Sequence, residues 1–200
     1  MNELIEQLIN VPKRFENQIA IETSQTSITY AGLAQRVKTL SQWLTEQEVN
    51  SVALHADNSI DWVVVDLACQ MALLILTPIP LFFTQTQYDQ LLLSAKPQIL
   101  FSQQKINFGE LCECEQVSLI TYKLVQDNSV EAPNGTAKIT YTSGSTGTPK
   151  GVCLSNKNQM TVASELVTNI GLKTPRHLCL LPLPTLLENI AGVYCPMLAY

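Results

Sequence analysis

Residues 139–155 read ITYTSGSTGTPKGVCLS. Two short apolar runs, ITYT and GVCL, enclose a stretch in which Gly144, Gly147 and Gly151 are interspersed with Thr142, Ser143, Ser145, Thr146, Thr148, Pro149 and Lys150. No acidic group interrupts it. Glycine admits positive φ and lets backbone N–H groups approach a ligand closely, and successive amides turned inward form an anion-binding nest. The hydroxyls add donors, Lys150 adds a mobile positive charge, and Pro149 restricts the chain just before it. Such a set, with one cation and no carboxylate, suits a polyphosphate. A flexible Gly/Ser/Thr linker or a long hairpin loop has the same composition. A Walker A loop does not fit. Its G-x-x-x-x-G-K-[ST] pattern needs Gly where Pro149 stands, and Ser or Thr where Gly151 follows Lys150.

The flanking segments alternate in period. Residues 3–10 suit a short helix limited by Pro12, and residues 19–23 and 27–30 suit a hairpin. Leu33, Val37, Leu40 and Leu44 recur at helical spacing, which predicts an amphipathic helix over residues 31–47. VALHA (52–56) reads as a strand, followed by a helix capped by Asn58 or Ser59 and running to Met71. LLILTPIP predicts a buried strand, Thr84 opens a helix to Ala95, and PQILFS another strand. QVSLITYKL (116–124), AKITYT and GVCLS are further strands, and Ser155 caps a helix from Asn156 to about Ile170. HLCLLPLP (177–184) reads as a strand, and the run from Leu186 as an apolar helix. The implied class is α/β: a layered, largely parallel sheet with flanking helices.

Composition narrows the function classes. The chain has 200 residues, 46% hydrophobic and 14% charged, so it can bury a substantial core. A net charge of −5 without a basic run argues against nucleic acid as partner. Asp66, Gln70, Pro78 and Pro80 interrupt the apolar stretch 61–83, so no transmembrane segment is expected. The N-terminus carries Glu3 and Glu6 and lacks a signal-peptide pattern. Of six cysteines, Cys69, Cys153, Cys179 and Cys195 lie in apolar runs and read as small buried hydrophobes, while Cys112 and Cys114 flank Glu113 on a surface segment. His55 and His177 are isolated in sequence, and no zinc-ligand spacing occurs. Reduced thiols and a cytoplasmic location follow. Tyr200 ends the chain inside an apolar run, which reads as the front part of something longer.

YTSGSTGTPKGV (141–152) resembles, at every position, the phosphate-loop signature of the AMP-forming adenylating superfamily. That superfamily includes acyl-CoA synthetases, aryl acid ligases, luciferases and nonribosomal peptide adenylation domains. SITYAGLAQRVKTLSQWL (27–44) is similar to an early segment of the family, with Ala31-Gly32 at its usual acidic position. Residues 58–92 resemble its helix–strand pair, with Leu73 or Leu74 replacing a usual glycine. LPLPTLLENIAG (181–192) resembles the "L-P-L-x-H-x-x-E" segment bordering the acid pocket, although Thr185 replaces the ring-bearing position and Leu187 an aromatic one.

The resemblance implies that residues 1–200 are the N-terminal part of the large AMP-binding domain of an adenylate-forming enzyme. The rest of that domain and a C-terminal lid domain would lie beyond Tyr200, so the isolated chain is expected to be inactive. The implied function is an ATP-dependent, AMP-forming carboxylic acid–thiol ligase, most like an acyl-CoA synthetase. A carrier-protein-loading adenylation domain, or a degenerate non-catalytic relative binding nucleotide or acyl group, are the alternatives. By the same resemblance Thr142, Ser143, Gly144, Ser145, Thr146, Gly147, Thr148, Lys150 and Gly151 hold the ATP β- and γ-phosphates. Thr185 and Glu188 edge the acid pocket. No catalytic residue and no protein metal ligand is assigned, Mg²⁺ arriving with ATP. The partners implied are a small carboxylic acid, ATP, and the thiol of coenzyme A or of a phosphopantetheinyl carrier protein.

Overall fold

The computed structural model describes residues 2–125, 130–142, 149–171, 173 and 175–199. Its elements are α1 (Glu3–Ile9), α2 (Lys13–Glu16), β1 (Ile19–Glu22), β2 (Ser27–Thr29), α3 (Tyr30–Glu46), β3 (Ser51–His55), α4 (Ile60–Met71), β4 (Ile75–Pro78) and α5 (Gln85–Ala95). Next come β5 (Ile99–Ser102), β6 (Glu110–Cys112), β7 (Ile120–Lys123), β8 (Thr136–Thr142), β9 (Lys150–Ser155) and α6 (Asn156–Ile170). The last segment holds α7 (Leu186–Glu188), a π-helical turn (Asn189–Tyr194) and α8 (Cys195–Leu198).

Caps set the helix starts where local chemistry predicts them. The side chains of Thr29, Ser59, Thr84 and Ser155 each accept a backbone N–H from the first turn of α3, α4, α5 and α6. Thr84 and Ser155 complete reciprocal capping boxes with Gln87 and Asn158.

β1 and β2 form a small antiparallel pair, and the other strands make one sheet in the order β6-β7-β5-β3-β4-β8-β9. Its centre is parallel, β5 with β3, β3 with β4 and β4 with β8. Its margins are antiparallel, β6 with β7, β7 with β5 and β8 with β9. The α/β class holds, but the sheet is mixed rather than largely parallel, because the outer strands return by hairpins or irregular chain instead of helical crossovers. Alternate residues feed opposite faces. Val52, Leu54, Ile99 and Phe101 pack under α3 and α4 in one core, while Ala53, Leu100, Ile139 and Tyr141 meet Tyr88 and Leu91 of α5 in another. The result is a sheet between two helical layers.

One buried group in the first layer is charged. Lys138 of β8 sends its ammonium to Asp66 Oδ1 (2.7 Å), Asn189 Oδ1 (2.6 Å) and the Tyr194 hydroxyl (2.8 Å). Tyr194 donates in turn to Asp66 Oδ2 (2.8 Å), Asn189 Nδ2 donates to the same oxygen (2.8 Å), and Gln70 Nε2 donates to the Tyr194 hydroxyl (2.8 Å). The ammonium donates two hydrogen bonds and pairs with a carboxylate, which is what makes a charge tolerable inside. Burial pulls the Lys138 pKa down, opposed by Asp66. Burial and the same carboxylate drive the Tyr194 hydroxyl well above its ordinary range.

The π-helical turn explains how Asn189 and Tyr194 both reach Lys138. Five residues apart, they would diverge by roughly 140° on a helix of 3.6 residues per turn, whereas i→i+5 bonding brings them onto one face. Pro196 follows just inside α8, where it has no N–H to offer the preceding turn.

Three expectations fail. Residues 177–184 carry no strand, and among the described residues no strand pairs with them. Their apolar pattern is a local signal, whereas a strand also needs a ladder partner. Leu178 and Leu180 are 75% and 78% exposed. Cys153, expected inside, is exposed on β9, an edge strand. The apolar helix from Leu186 is broken into α7, the π turn and α8. Among the described residues no helix is long and apolar enough to cross a membrane.

The glycine missing between α4 and β4 has a structural consequence. Leu73 sits in the left-handed region at φ 59° with its side chain 75% exposed, whereas Leu74 has no positive φ. That conformation costs an L-residue about 1–2 kcal/mol, partly offset by the unfolded-state entropy a glycine adds. Leu73→Gly is therefore expected to raise the unfolding free energy by about 0.5–1 kcal/mol. Urea unfolding of the whole protein checks this, and a lower midpoint in the variant would refute it.

Candidate functional site

β8 and β9 build the hairpin that carries the phosphate-loop signature. Ile139 and Tyr141 of β8 point into the α5 side, where the Tyr141 hydroxyl donates to Ser94 Oγ (2.9 Å). β9 runs back antiparallel with Thr142 opposite Lys150, Tyr141 opposite Gly151 and Ile139 opposite Cys153. The connection therefore starts and ends at paired residues at the C-terminal end of β8. Because β8 is parallel to β4, and β4 to β3, that end lies with the carboxyl ends of the parallel strands, where open α/β sheets bind ligands.

Of the predicted phosphate-binding residues, Ser143, Gly144, Ser145, Thr146, Gly147 and Thr148 lie outside the described residues. Thr142 and Lys150 are exposed across the hairpin mouth, and Pro149 is buried between them. Gly151 was expected to supply positive φ; it lies in β9 without one. Its reason is space. A Cβ there would stand 2.9 Å from Ile139 Cγ2 and 3.0 Å from Tyr141 Cζ, so only glycine lets the Tyr141 ring lie against β9.

Thr185 and Glu188 fall in a different place. Thr185 precedes α7, and its hydroxyl donates to the Pro182 carbonyl (2.6 Å), so it closes a turn. Glu188 is buried, and its Oε1 lies 2.8 Å from His177 Nε2. A surface role for Glu188 is excluded by that burial. The cavity nearby has a volume of about 900 Å³ and is lined by β1, by Asn58 and Ser59, by residues 175–179 and by Gly192, Val193 and Met197, among others. Neither Thr185 nor Glu188 is among its lining residues.

Sequence reading missed what surrounds Glu188. His177 and Cys179 come together with it, although they stand 11 and 9 residues earlier and show no motif spacing. Burial and the neighbouring Glu188 carboxylate push the Cys179 thiol up to about 11. The only sequence signal is the H-x-C pair itself, which in isolation resembles any apolar-flanked cysteine.

The profile of the AMP-binding enzyme family matches residues 9–199. The chain belongs to that family. It is 28% identical over 159 residues to a component of the linear gramicidin synthase of Brevibacillus parabrevis, covering 74% of the chain and 2% of that protein. It is 28% identical over 163 residues to 2-succinylbenzoate–CoA ligase of Staphylococcus epidermidis, covering 78% of the chain and 33% of the ligase. Its fold superposes with a TM-score of 0.75 and 18% identity on o-succinylbenzoate coenzyme A synthetase from Bacillus subtilis solved with ATP and magnesium ion, covering 100% of the chain and 55% of that structure. The chain thus spans about half of that structure's length and a third or less of these curated relatives.

Proposed function

We propose that this chain contributes the pyrophosphate-holding part of an ATP-dependent, AMP-forming carboxylic acid–thiol ligase of the acyl-CoA synthetase kind. The observation that carries this reading is the signature YTSGSTGTPKGV on a hairpin whose mouth opens at the carboxyl ends of the parallel strands. At that mouth a hydroxyl (Thr142) and an ammonium (Lys150) fit phosphate oxygens, and residues 142–151 include no carboxylate to hold a divalent cation. Mg²⁺ would therefore enter on the phosphates of ATP. The residues of 142–151 named above are the proposed phosphate-binding set.

The chemistry follows from leaving groups. A carboxylate oxygen attacks the α-phosphorus of ATP, and the bond to the bridging oxygen breaks, so that pyrophosphate departs with the electron pair. Donors preorganised around the β- and γ-phosphates stabilise the charge that develops there. The sulfur of a thiolate then attacks the acyl-adenylate carbonyl, and AMP leaves. The acceptor is coenzyme A or a phosphopantetheinyl carrier, as the similarity to both a CoA ligase and a gramicidin synthase supports. The six free cysteines fit a reducing, cytoplasmic setting.

ATP–pyrophosphate exchange by the whole protein, run with a panel of carboxylic acids, tests the reading. Exchange that requires both acid and Mg²⁺ is the expected result. Tight binding of Mg–ATP in calorimetry with no exchange for any acid would instead identify a non-catalytic nucleotide-binding relative.

A further inference from the structure

Three side chains of different donor chemistry converge beside the cavity. His177 and Cys179 come from the irregular segment before Leu183, and Glu188 comes from α7. Their ligand-capable atoms all lie within 4.8 Å of one another, with His177 Nε2 and Glu188 Oε1 2.8 Å apart. A fourth residue makes room for them. A Cβ on Gly192 would stand 2.9 Å from Cys179 Sγ, 2.9 Å from Glu188 Oε1 and 3.1 Å from His177 Cδ2. The three groups therefore crowd around the one place on the π-helical turn that has no side chain.

A His–Glu pair beside a half-buried cysteine could serve packing alone, but the donor set has a more specific use. We propose that His177, Cys179 and Glu188 form a three-ligand site for a borderline transition-metal cation, with Zn²⁺ as the natural occupant. Thiolate, imidazole and carboxylate together favour such an ion over Mg²⁺ or Ca²⁺, which take oxygen ligands. Tetrahedral Zn²⁺ with bonds of about 2.0–2.3 Å sets its ligands roughly 3.5 Å apart. From the observed spacing this requires a side-chain movement on the order of 1 Å. As the metal–sulfur bond forms, the Cys179 thiol releases its proton to solvent and donates the freed electron pair. His177, Cys179 and Gly192 line the 900 Å³ cavity, so the fourth position is open to water or to a ligand bound there. An open position is the mark of a Zn²⁺ site that acts on or holds a ligand rather than one that only staples the chain. The site stands independently of the adenylation reading.

The whole protein, stripped with a chelator and dialysed, is titrated with Co²⁺ as a spectroscopic probe and then with competing Zn²⁺. The expected result is saturable binding of Co²⁺ with a sulfur-to-cobalt charge-transfer band, abolished by Zn²⁺. Cys179→Ser should remove the band, and Cys179→Ser and His177→Ala should each weaken Zn²⁺ binding at least about tenfold. Circular dichroism should show both variants folded. Cys112→Ser/Cys114→Ser should leave binding unchanged. No saturable binding, a band that persists in Cys179→Ser, or binding lost only in the Cys112/Cys114 variant would each overturn the proposal.

Discussion

Lys138→Met is expected to lower the unfolding free energy by about 3–5 kcal/mol, the cost of leaving a buried carboxylate without its partner. Asp66 is fully buried, and among the described residues its carboxylate keeps the Tyr194 and Asn189 donors once the ammonium is gone. Methionine retains the volume of the lysine stem, so the loss reports charge rather than a cavity. Adding Asp66→Asn to Lys138→Met removes the stranded charge and keeps an acceptor for Tyr194. The double variant should therefore recover at least about 1 kcal/mol of the loss, a coupling within the range of contacting pairs. Urea unfolding of the whole protein measures both. A single-variant loss below about 1 kcal/mol, or a double variant less stable than the single, would show that the network is not held by this ion pair.

Lys150→Ala is expected to reduce ATP–pyrophosphate exchange by a factor on the order of 10²–10³, similar to the loss of a preorganised donor at developing charge. The side chain is exposed at the start of β9, so its removal should change the unfolding free energy by no more than about 0.5 kcal/mol. This separates chemistry from fold. Thr146→Ala should act in the same direction, since it belongs to the same proposed donor set. Full exchange in both variants at unchanged stability would remove residues 142–151 from the phosphate-binding role.

Much of the architecture is legible where the signal is local. Ser59, Thr84 and Ser155 announce their helices because a short side chain beside an unpaired N–H is the whole of the capping interaction. The spacing of Leu33, Val37, Leu40 and Leu44 is enough for α3, all four being buried. The two strands beside the signature follow from apolar runs separated by glycine and proline, whereas their direct pairing is seen in the sheet. Where the outcome depends on a distant partner, local reading misleads. Residues 177–184 look like a strand, but the sheet places none beside them among the described residues. Asp66 and Gln70 read as interruptions of an apolar stretch, and nothing in their neighbourhood points to Lys138, 72 residues away, or to Tyr194.

The amino-acid sequence by itself determined the α/β class, the helix starts, the strands beside the signature and, through the unbroken twelve-residue signature, membership of the AMP-binding family. These rest on interactions within a few residues or on a contiguous pattern. Only the tertiary structure decided which strands pair in parallel, why Leu73 carries the strain that a glycine would relieve, and that Gly151 provides space rather than positive φ. It alone joined Lys138 to Asp66 and gathered His177, Cys179 and Glu188 around Gly192. The physical reason is shared: a buried charge or a cluster of ligands is satisfied through space, by groups that chain order leaves far apart.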